Sequence, residues 1–396
     1  MIRLLLISTL LLSFNLLSQI DQTQLLVGRT TGTHTLHDGN STRIFGFAET
    51  LGADIYLPGP TIHVTEGDSV EIDFWNVSQG APHTIHLHGL DVNQENDGVP
   101  SLSFDVHHMD HGFYKFKAPH PGTYIYHCHV VSTIHVQAGM YGVIIVTPSN
   151  GDNLSTWNGG ESFDRDFLWT ASEIDTNWHT DAVLDHPHDT INPQPMFVPD
   201  NYLPQYFLVN GQSGSQLTDV NNYYTAGVNE KVYMRLVNIG YQGVRYIFPS
   251  NVNARTISSD GRPLPTDFIN DTVEVLPGER YGTIIQLGSD ALYPVEVQHF
   301  NLNTQEIESS QDVTIRTSDV SLADEPAIER TLIYPNPSSH GLFFIDAGTS
   351  EDYVVYNLLG EKIKSGNSSY LIDLSGEASG TYLLRLKGEY HKLIKN

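Results

Sequence analysis

Gly122-Thr123-Tyr124-Ile125-Tyr126-His127-Cys128-His129, with His135 and Met140 shortly after, is the stretch on which the reading of this chain turns. It holds the single cysteine among 396 residues. The chain opens with Arg3 and an apolar run from Leu4 to Leu17, too short to span a bilayer and patterned as a secretory signal peptide over residues 1–19. Exported proteins usually carry cysteines in pairs, because an oxidising compartment joins them as disulfides. A solitary cysteine calls for another job. Flanked by imidazoles and followed by a thioether, its thiolate suits copper, since one Cys, two His and a weak axial Met make up a blue electron-transfer site.

A second histidine cluster, Pro82-His83-Thr84-Ile85-His86-Leu87-His88-Gly89, extends the argument. Side chains alternate faces along a strand, so residues two apart share a face and neighbours oppose each other. By that parity His127 and His129 point one way and Cys128 the other. His86 and His88 share a face, and His83 falls opposite them if the strand is continuous. Two ligand sets follow: His83, Cys128, His135 and Met140 for one copper, and His86, His88, His127 and His129, all imidazole, for additional copper. Cys128 links them covalently, because both of its chain neighbours belong to the second set.

These segments resemble the multicopper oxidase family, within the wider cupredoxin group that also includes copper nitrite reductases. Gly59-Pro60-Thr61-Ile62, Glu66-Gly67-Asp68-Ser69-Val70, His86-Leu87-His88-Gly89-Leu90, Asp97-Gly98-Val99-Pro100 and the run from Gly122 to His129 look like successive landmarks of that family's first domain. A copper-site cysteine in the first domain is similar to the two-domain oxidases and the nitrite reductases, as are the His135 to Met140 interval and Gly139-Met140-Tyr141-Gly142. The resemblance implies an all-β fold of two cupredoxin-like Greek-key sandwiches. Strand alternation supports it independently: Val70, Ile72 and Phe74 alternate with Glu71, Asp73 and Trp75, and Val143 to Val146 is a short apolar run. The expected layout is a copper-binding sandwich over residues 24–148, with its ligands on strands and on a loop between His129 and Met140. A polar linker over 149–164 and a second sandwich over 165–318 follow.

Tyr206 to Gly211, Val232 to Asn238, Ser259-Asp260-Gly261 and Leu276 to Tyr281 resemble the non-blue middle domain of the family. A departure accompanies the likeness. The family's oxygen-reducing cluster takes its histidines in equal parts from two domains, yet Ile239 to Tyr246 lacks the spaced histidines of a partner domain. The second domain and its linker hold only His179, His186, His188 and His299. His186-Pro187-His188 offers a local chelate, although a proline between ligands is unlike the family's paired-histidine strand. Two-domain relatives form homotrimers with clusters between subunits, so the resemblance implies a homotrimer that completes the site.

The implied activity is that of an oxidoreductase taking single electrons from a small-molecule or metal-ion reductant at the blue copper. Cys128 passes them to the imidazole-bound copper that reduces dioxygen. Two other readings stand beside it. A non-enzymatic electron carrier or copper buffer accounts for the missing second-domain histidines, and a nitrite reductase accounts for His83, His88 and His127 beside Cys128. However, His86 stands where that subfamily carries a catalytic aspartate. A formal net charge of −26, from 46 acidic against 20 basic residues, excludes the positive footprint of a nucleic-acid binder.

Isolated histidines are more often hydrogen-bonded core residues than ligands, and His63, His120 and His299 are read so. His107-His108-Met109-Asp110-His111 reads as a solvated loop, with copper capture as its functional alternative. Residues 326–396, from Leu332-Ile333-Tyr334-Pro335-Asn336-Pro337 to Lys392-Leu393-Ile394-Lys395, resemble the C-terminal sorting domain of the type IX secretion system. That resemblance implies a small β-sandwich read by the export machinery, and a protein that crosses the periplasm to be secreted or held at the cell surface.

Overall fold

Alternation of apolar and polar residues builds the first strands. Val70, Ile72 and Phe74 are buried while Glu71, Asp73 and Trp75 on the opposite face are partly exposed, as expected for a strand with one face on a core. The computed structural model describes residues 20–78, 80–185, 198–289 and 291–317, and in a separate unit most of residues 332–395. The expected signal peptide, and His186 and His188, lie outside the described residues.

Eight strands form the first sandwich: β1 (Gln22–Thr35), β2 (Ser41–Ala48), β3 (Ile62–Thr65), β4 (Ser69–Asn76), β5 (His86–His88), β6 (Asp110–Lys117), β7 (Gly122–His127) and β8 (Tyr141–Thr147). One sheet has the order β2-β1-β4-β6 and the other β3-β8-β7-β5. Phe45, Phe47, Phe74, Tyr114, Tyr124 and Tyr126 fill the space between them, together with Cys128 and Met140.

The run Val143 to Val146 is apolar on both faces for a reason. Ile144 and Val146 enter that core, whereas Val143 and Ile145 join Ile44, Leu57 and Ile125 in a second cluster against Ile174, Leu208, Val237 and Ile239. The second sandwich therefore covers the outer face of this sheet. Its strands are β9 (Arg165–Ile174), β10 (Tyr206–Val209), β11 (Tyr224–Ala226), β12 (Lys231–Asn238), β13 (Gly243–Ile247), β14 (Arg255–Ser259), β15 (Arg262–Ile269), β16 (Thr272–Val275), β17 (Arg280–Gln286), β18 (Leu292–Phe300) and β19 (Ile307–Thr317). They pair as β10-β9-β12-β17-β14-β15 and β11-β19-β18-β13-β16. Within residues 149–164, Ser155 bridges to Ser162, and Trp157 and Phe163 pack beside Tyr233, Ile257 and Ile284.

Between His129 and Met140 the structure departs from the expected loop. Ser132–Gln137 form a short helix, α1. Its sequence has poor helical propensity, with Thr133, Ile134 and Val136 β-branched among its six residues, so tertiary contacts hold it. Gln137 Nε2 donates to the Glu173 carbonyl at 3.0 Å and to Tyr202 Oη at 2.8 Å, while Gln137 Oε1 accepts from the Asp175 N–H at 3.1 Å. The helix is entered through Val131 in the left-handed conformation, φ 45°. A β-branched residue there is strained, and the tight entry lets α1 carry His135 back over Cys128.

The separate C-terminal unit has a three-stranded sheet, Leu332–Tyr334, Leu342–Asp346 and Leu371–Asp373. Its four-stranded sheet runs in the order Lys362–Ser368, Glu351–Asn357, Gly380–Leu386, Glu389–Lys395. Phe343, Tyr353, Val355, Ile372, Leu384 and Leu393 are among its core residues.

Candidate metal centre

Cys128 lies just beyond the end of β7, where its N–H donates to the Met140 carbonyl at 3.0 Å. Its buried Sγ stands 3.3 Å from His135 Nδ1 and 3.6 Å from His83 Nδ1. Bonds of about 2.0 Å to nitrogen and about 2.3 Å to sulfur let two ligands of one first-row ion stand about 3–4 Å apart. The three donors therefore fit a single ion. Both imidazoles are buried, with ring centroids 4.7 Å apart, and Phe45 meets each of them edge-on. Met140 is wholly buried in the same core cluster as Cys128. Burial raises the Cys128 thiol to about 11, so ionising it calls for a cation at the sulfur.

His83 reaches this set without the continuous strand assumed from its spacing. It forms an isolated bridge to Val106, and β5 starts only at His86. Thr84 fixes the geometry between the two segments, because its Oγ1 accepts the His129 N–H at 2.9 Å.

The imidazole set forms on the other side. In the antiparallel pairing of β5 with β7, His86 faces His127 directly and His88 faces Ile125, so ring contact follows from register. His86 and His127 have centroids 5.0 Å apart, and His88 Nδ1 is 3.4 Å from His127 Nε2. His86, His88 and His127 bring ligand nitrogens within 4.8 Å of one another. His129 lies at the margin, 5.2 Å from the His86 ring and 6.0 Å from the His127 ring.

Nearby carbonyls orient these rings. His86 Nδ1 lies 2.7 Å from the Asp97 carbonyl and His127 Nδ1 lies 3.0 Å from the Cys128 carbonyl. Each carbonyl favours the Nδ1–H tautomer and leaves the Nε2 lone pair for a metal. The Asp97-Gly98 turn that supplies the first of them needs glycine. Gly98 has φ +74°, and a Cβ there would stand 2.0 Å from the Ile85 carbonyl oxygen. Burial is the main cause holding the rings neutral, lowering His86, taking His127 to about 3 and, with the Arg280 charge next in importance, taking His88 to about 4.

The second sandwich meets this cluster through residues that sequence reasoning gave no role. A Cβ on Gly278 would stand 3.1 Å from His88 Cε1, so the turn before β17 packs on that ring. Arg280 reaches Gly89 beside it. By contrast, His179 and His299 lie elsewhere. His179 is buried with Nδ1 2.6 Å from the Arg43 carbonyl and Nε2 3.1 Å from Gln137 Oε1, and His299 packs against Phe207. Among the described residues neither joins a group of converging metal-ligand atoms.

The remaining histidines divide. His299 is buried and His120 is partly so, with Nδ1 2.7 Å from the Pro121 carbonyl. His63 corrects the expectation of a core residue, because its position on β3 points outward. In the histidine-rich loop Met109 and His107 are exposed, His108 contacts the Ser78 carbonyl, and His111 stacks on Trp75 while paired with Asp73 at 2.9 Å. These are solvated and structural contacts.

Comparison with known proteins extends the picture. Residues 36–151 match the family model of the multicopper oxidases, and residues 332–396 match that of the secretion system C-terminal sorting domain. The copper-containing nitrite reductase of Neisseria meningitidis serogroup B is 31% identical over 210 residues, 52% of this chain and 47% of that protein. Laccase 1 of Metarhizium acridum is 37% identical over 105 residues, 26% of this chain and 16% of that protein. The chain thus spans less than half the length of these curated relatives. The crystal structure of a blue copper oxidase from Nitrosomonas europaea superposes with a TM-score of 0.61 at 25% identity, covering 78% of this chain and 89% of that one. The architecture is cupredoxin-type and all-β, with two sandwiches followed by a small sorting domain.

Proposed function

We propose that this chain, which carries a multicopper oxidase domain over residues 36–151 and a sorting domain over residues 332–396, is an exported copper oxidoreductase. Copper would supply one-electron redox chemistry among His83, Cys128, His135 and Met140, and dioxygen reduction among His86, His88, His127 and His129. The observation that carries this reading is the pair of donor groups back to back. Cys128 Sγ lies within 3.6 Å of two imidazoles, while its neighbour His127 turns to His86 and His88.

The protein's own part is positioning. His83 and His135 flank the sulfur in a dry pocket closed by Phe45. The backbone from Cys128 to His127 and His129 offers a short covalent path between the two sets. The Asp97 and Cys128 carbonyls fix ring tautomers on the imidazole side. In balance, four electrons from four one-electron donors and four protons convert one dioxygen to two waters. The reductant is a phenol, a cuprous or ferrous ion, or a partner protein.

A homotrimer in which a neighbouring copy completes the imidazole set is the assembly this reading calls for. Its support is that His179 is held by the Arg43 carbonyl and Gln137 and that His299 is buried against Phe207, so among the described residues neither joins the imidazole set. A nitrite reductase is the second reading, favoured by the 31% identity to the Neisseria enzyme. A simple carrier has no use for the second imidazole group. Copper content, the blue absorption band and oxygen uptake with several reductants test the proposal, alongside nitrite turnover with a viologen-type donor. More than one copper per chain with oxygen uptake is expected; one copper, a blue band and no uptake would reject the oxidase.

A further inference from the structure

His135 reaches the sulfur on a helix with little stability of its own. α1 has six residues, and Val131 at its N-cap gives no side-chain hydrogen bond, whereas isolated helices shorter than about 12 residues are marginal in water. Yet α1 decides where two of the four donors around Cys128 stand. It carries His135, and the Met140 N–H donates to the His135 carbonyl at 2.9 Å.

The second sandwich holds α1 at both ends. At its first turn Tyr241, between β12 and β13, donates through Oη to the Thr133 carbonyl at 2.6 Å, with the Ser132 carbonyl 3.3 Å away. At its last turn the Gln137 amide is fully engaged. Nε2 donates to the Glu173 carbonyl and to Tyr202 Oη, while Oε1 accepts from the Asp175 N–H and stands 3.1 Å from His179 Nε2. The two anchors form one unit, because Glu173 Oε1 accepts from Tyr202 Oη at 2.8 Å and also from the Tyr241 N–H. The rings of Tyr202 and Tyr241 meet at 5.4 Å.

We propose that Tyr241 and Gln137 are positioning residues for the copper at Cys128. Among the described residues the second sandwich brings no histidine to that sulfur; it acts on the site as the clamp that fixes His135. The proposal rests on the reading that Cys128 binds copper.

The test begins without metal. Cys128 is the single thiol of the chain and is wholly buried, so its reaction with an aromatic disulfide in copper-free full-length protein reports each opening of its cover. Tyr241→Phe removes the hydroxyl from the clamp. It should speed the reaction about fivefold, the equivalent of about 1 kcal/mol for one hydrogen bond at 1.4 kcal/mol per tenfold. Tyr206→Phe is the control, because that hydroxyl also crosses between the sandwiches, to Asp38 Oδ2 at 2.8 Å, without bonding to α1; it should keep the wild-type rate. After copper loading, the blue band should move in Tyr241→Phe and stay in place in Tyr206→Phe. A wild-type rate in Tyr241→Phe, an equal rise in both variants, or an unmoved band in Tyr241→Phe would overturn the clamp. Wild-type protein that takes up copper without a blue band would sink the copper reading, while the thiol rates still decide whether the second sandwich holds α1. Should Tyr241→Phe not fold, amide hydrogen exchange of the wild type decides. Protection of the His135 and Ala138 N–H groups equal to that of β9 supports the clamp, and exchange as fast as in exposed turns rejects it.

Discussion

Glu173 should give the folded protein a measurable dependence on pH that one substitution removes. This carboxyl sits on β9, buried, where it accepts hydrogen bonds from Tyr202 Oη at 2.8 Å and the Gln242 N–H at 3.2 Å, and also from the Tyr241 N–H. Burial nevertheless dominates and raises it from 4.5 to about 7. An acid whose folded pKa exceeds its unfolded one is held protonated by the fold. Below about pH 4.5 both states carry the proton and nothing is lost. Between that point and about pH 7 the unfolded chain releases a proton that the folded chain keeps, so stability falls as pH rises and then levels off. At about 1.4 kcal/mol per unit the full cost is about 3 kcal/mol, of which about 2 kcal/mol falls between pH 5 and pH 7.5.

Glu173→Gln cannot ionise. Whatever its fixed cost in packing, that cost does not vary with pH, so the variant should gain about 2 kcal/mol on wild type across this range. Unfolding entropy near 2.1 cal/mol/K per residue over roughly 300 residues turns this into about 3 °C of melting temperature. Histidines lowered by burial, among them His127 and His299, give the opposite slope, losing stability as pH falls below about 6.5. They are common to both proteins and cancel in the difference. Thermal melts of both full-length proteins at half-unit pH steps make the comparison. A difference that stays flat from pH 5 to 7.5 would refute the reasoning.

Two further outcomes are expected. Gly98→Ala should cost about 2 kcal/mol or more, because it combines a left-handed φ with a 2.0 Å approach to the Ile85 carbonyl oxygen. By displacing the Asp97 carbonyl from His86 it should also lower copper on the imidazole set more than at Cys128, as elemental analysis and the blue band would show; an unchanged melt and copper count would contradict this. Deleting residues 332–396 should leave the protein inside a host that has the type IX machinery, with its copper content per chain unaltered. Cell fractionation reads the outcome, and normal release of the shortened chain would rule out a sorting role.

Much of the site is legible in the sequence because parity on a strand is a strong geometric constraint. Adjacent residues must diverge, so Cys128 and His127 had to serve different neighbours, and the β5–β7 pairing brings His86 opposite His127. His83 reached its place by another route, through an isolated bridge, so the same outcome hid a different backbone. Other features carry no periodic signal. The helix at 132–137 exists because Gln137 and His135 are captured by distant residues, against weak local propensity. Arg280 and Gly278 approach the imidazoles from the far end of another domain, and nothing in their local sequence marks that contact. The outward turn of His63 depends on which face β3 presents, which the strand's four residues do not decide.

The doubly covered strand β8 limits how this chain can be taken apart. Its outer residues, Val143 and Ile145, rest on a neighbour that starts only at β9. A gene cut after codon 148 would release a product with a bare greasy wall, fated to clump before any ion arrived. The first two sandwiches therefore make one inheritable piece, and the natural splice point for recombination lies beyond residue 317.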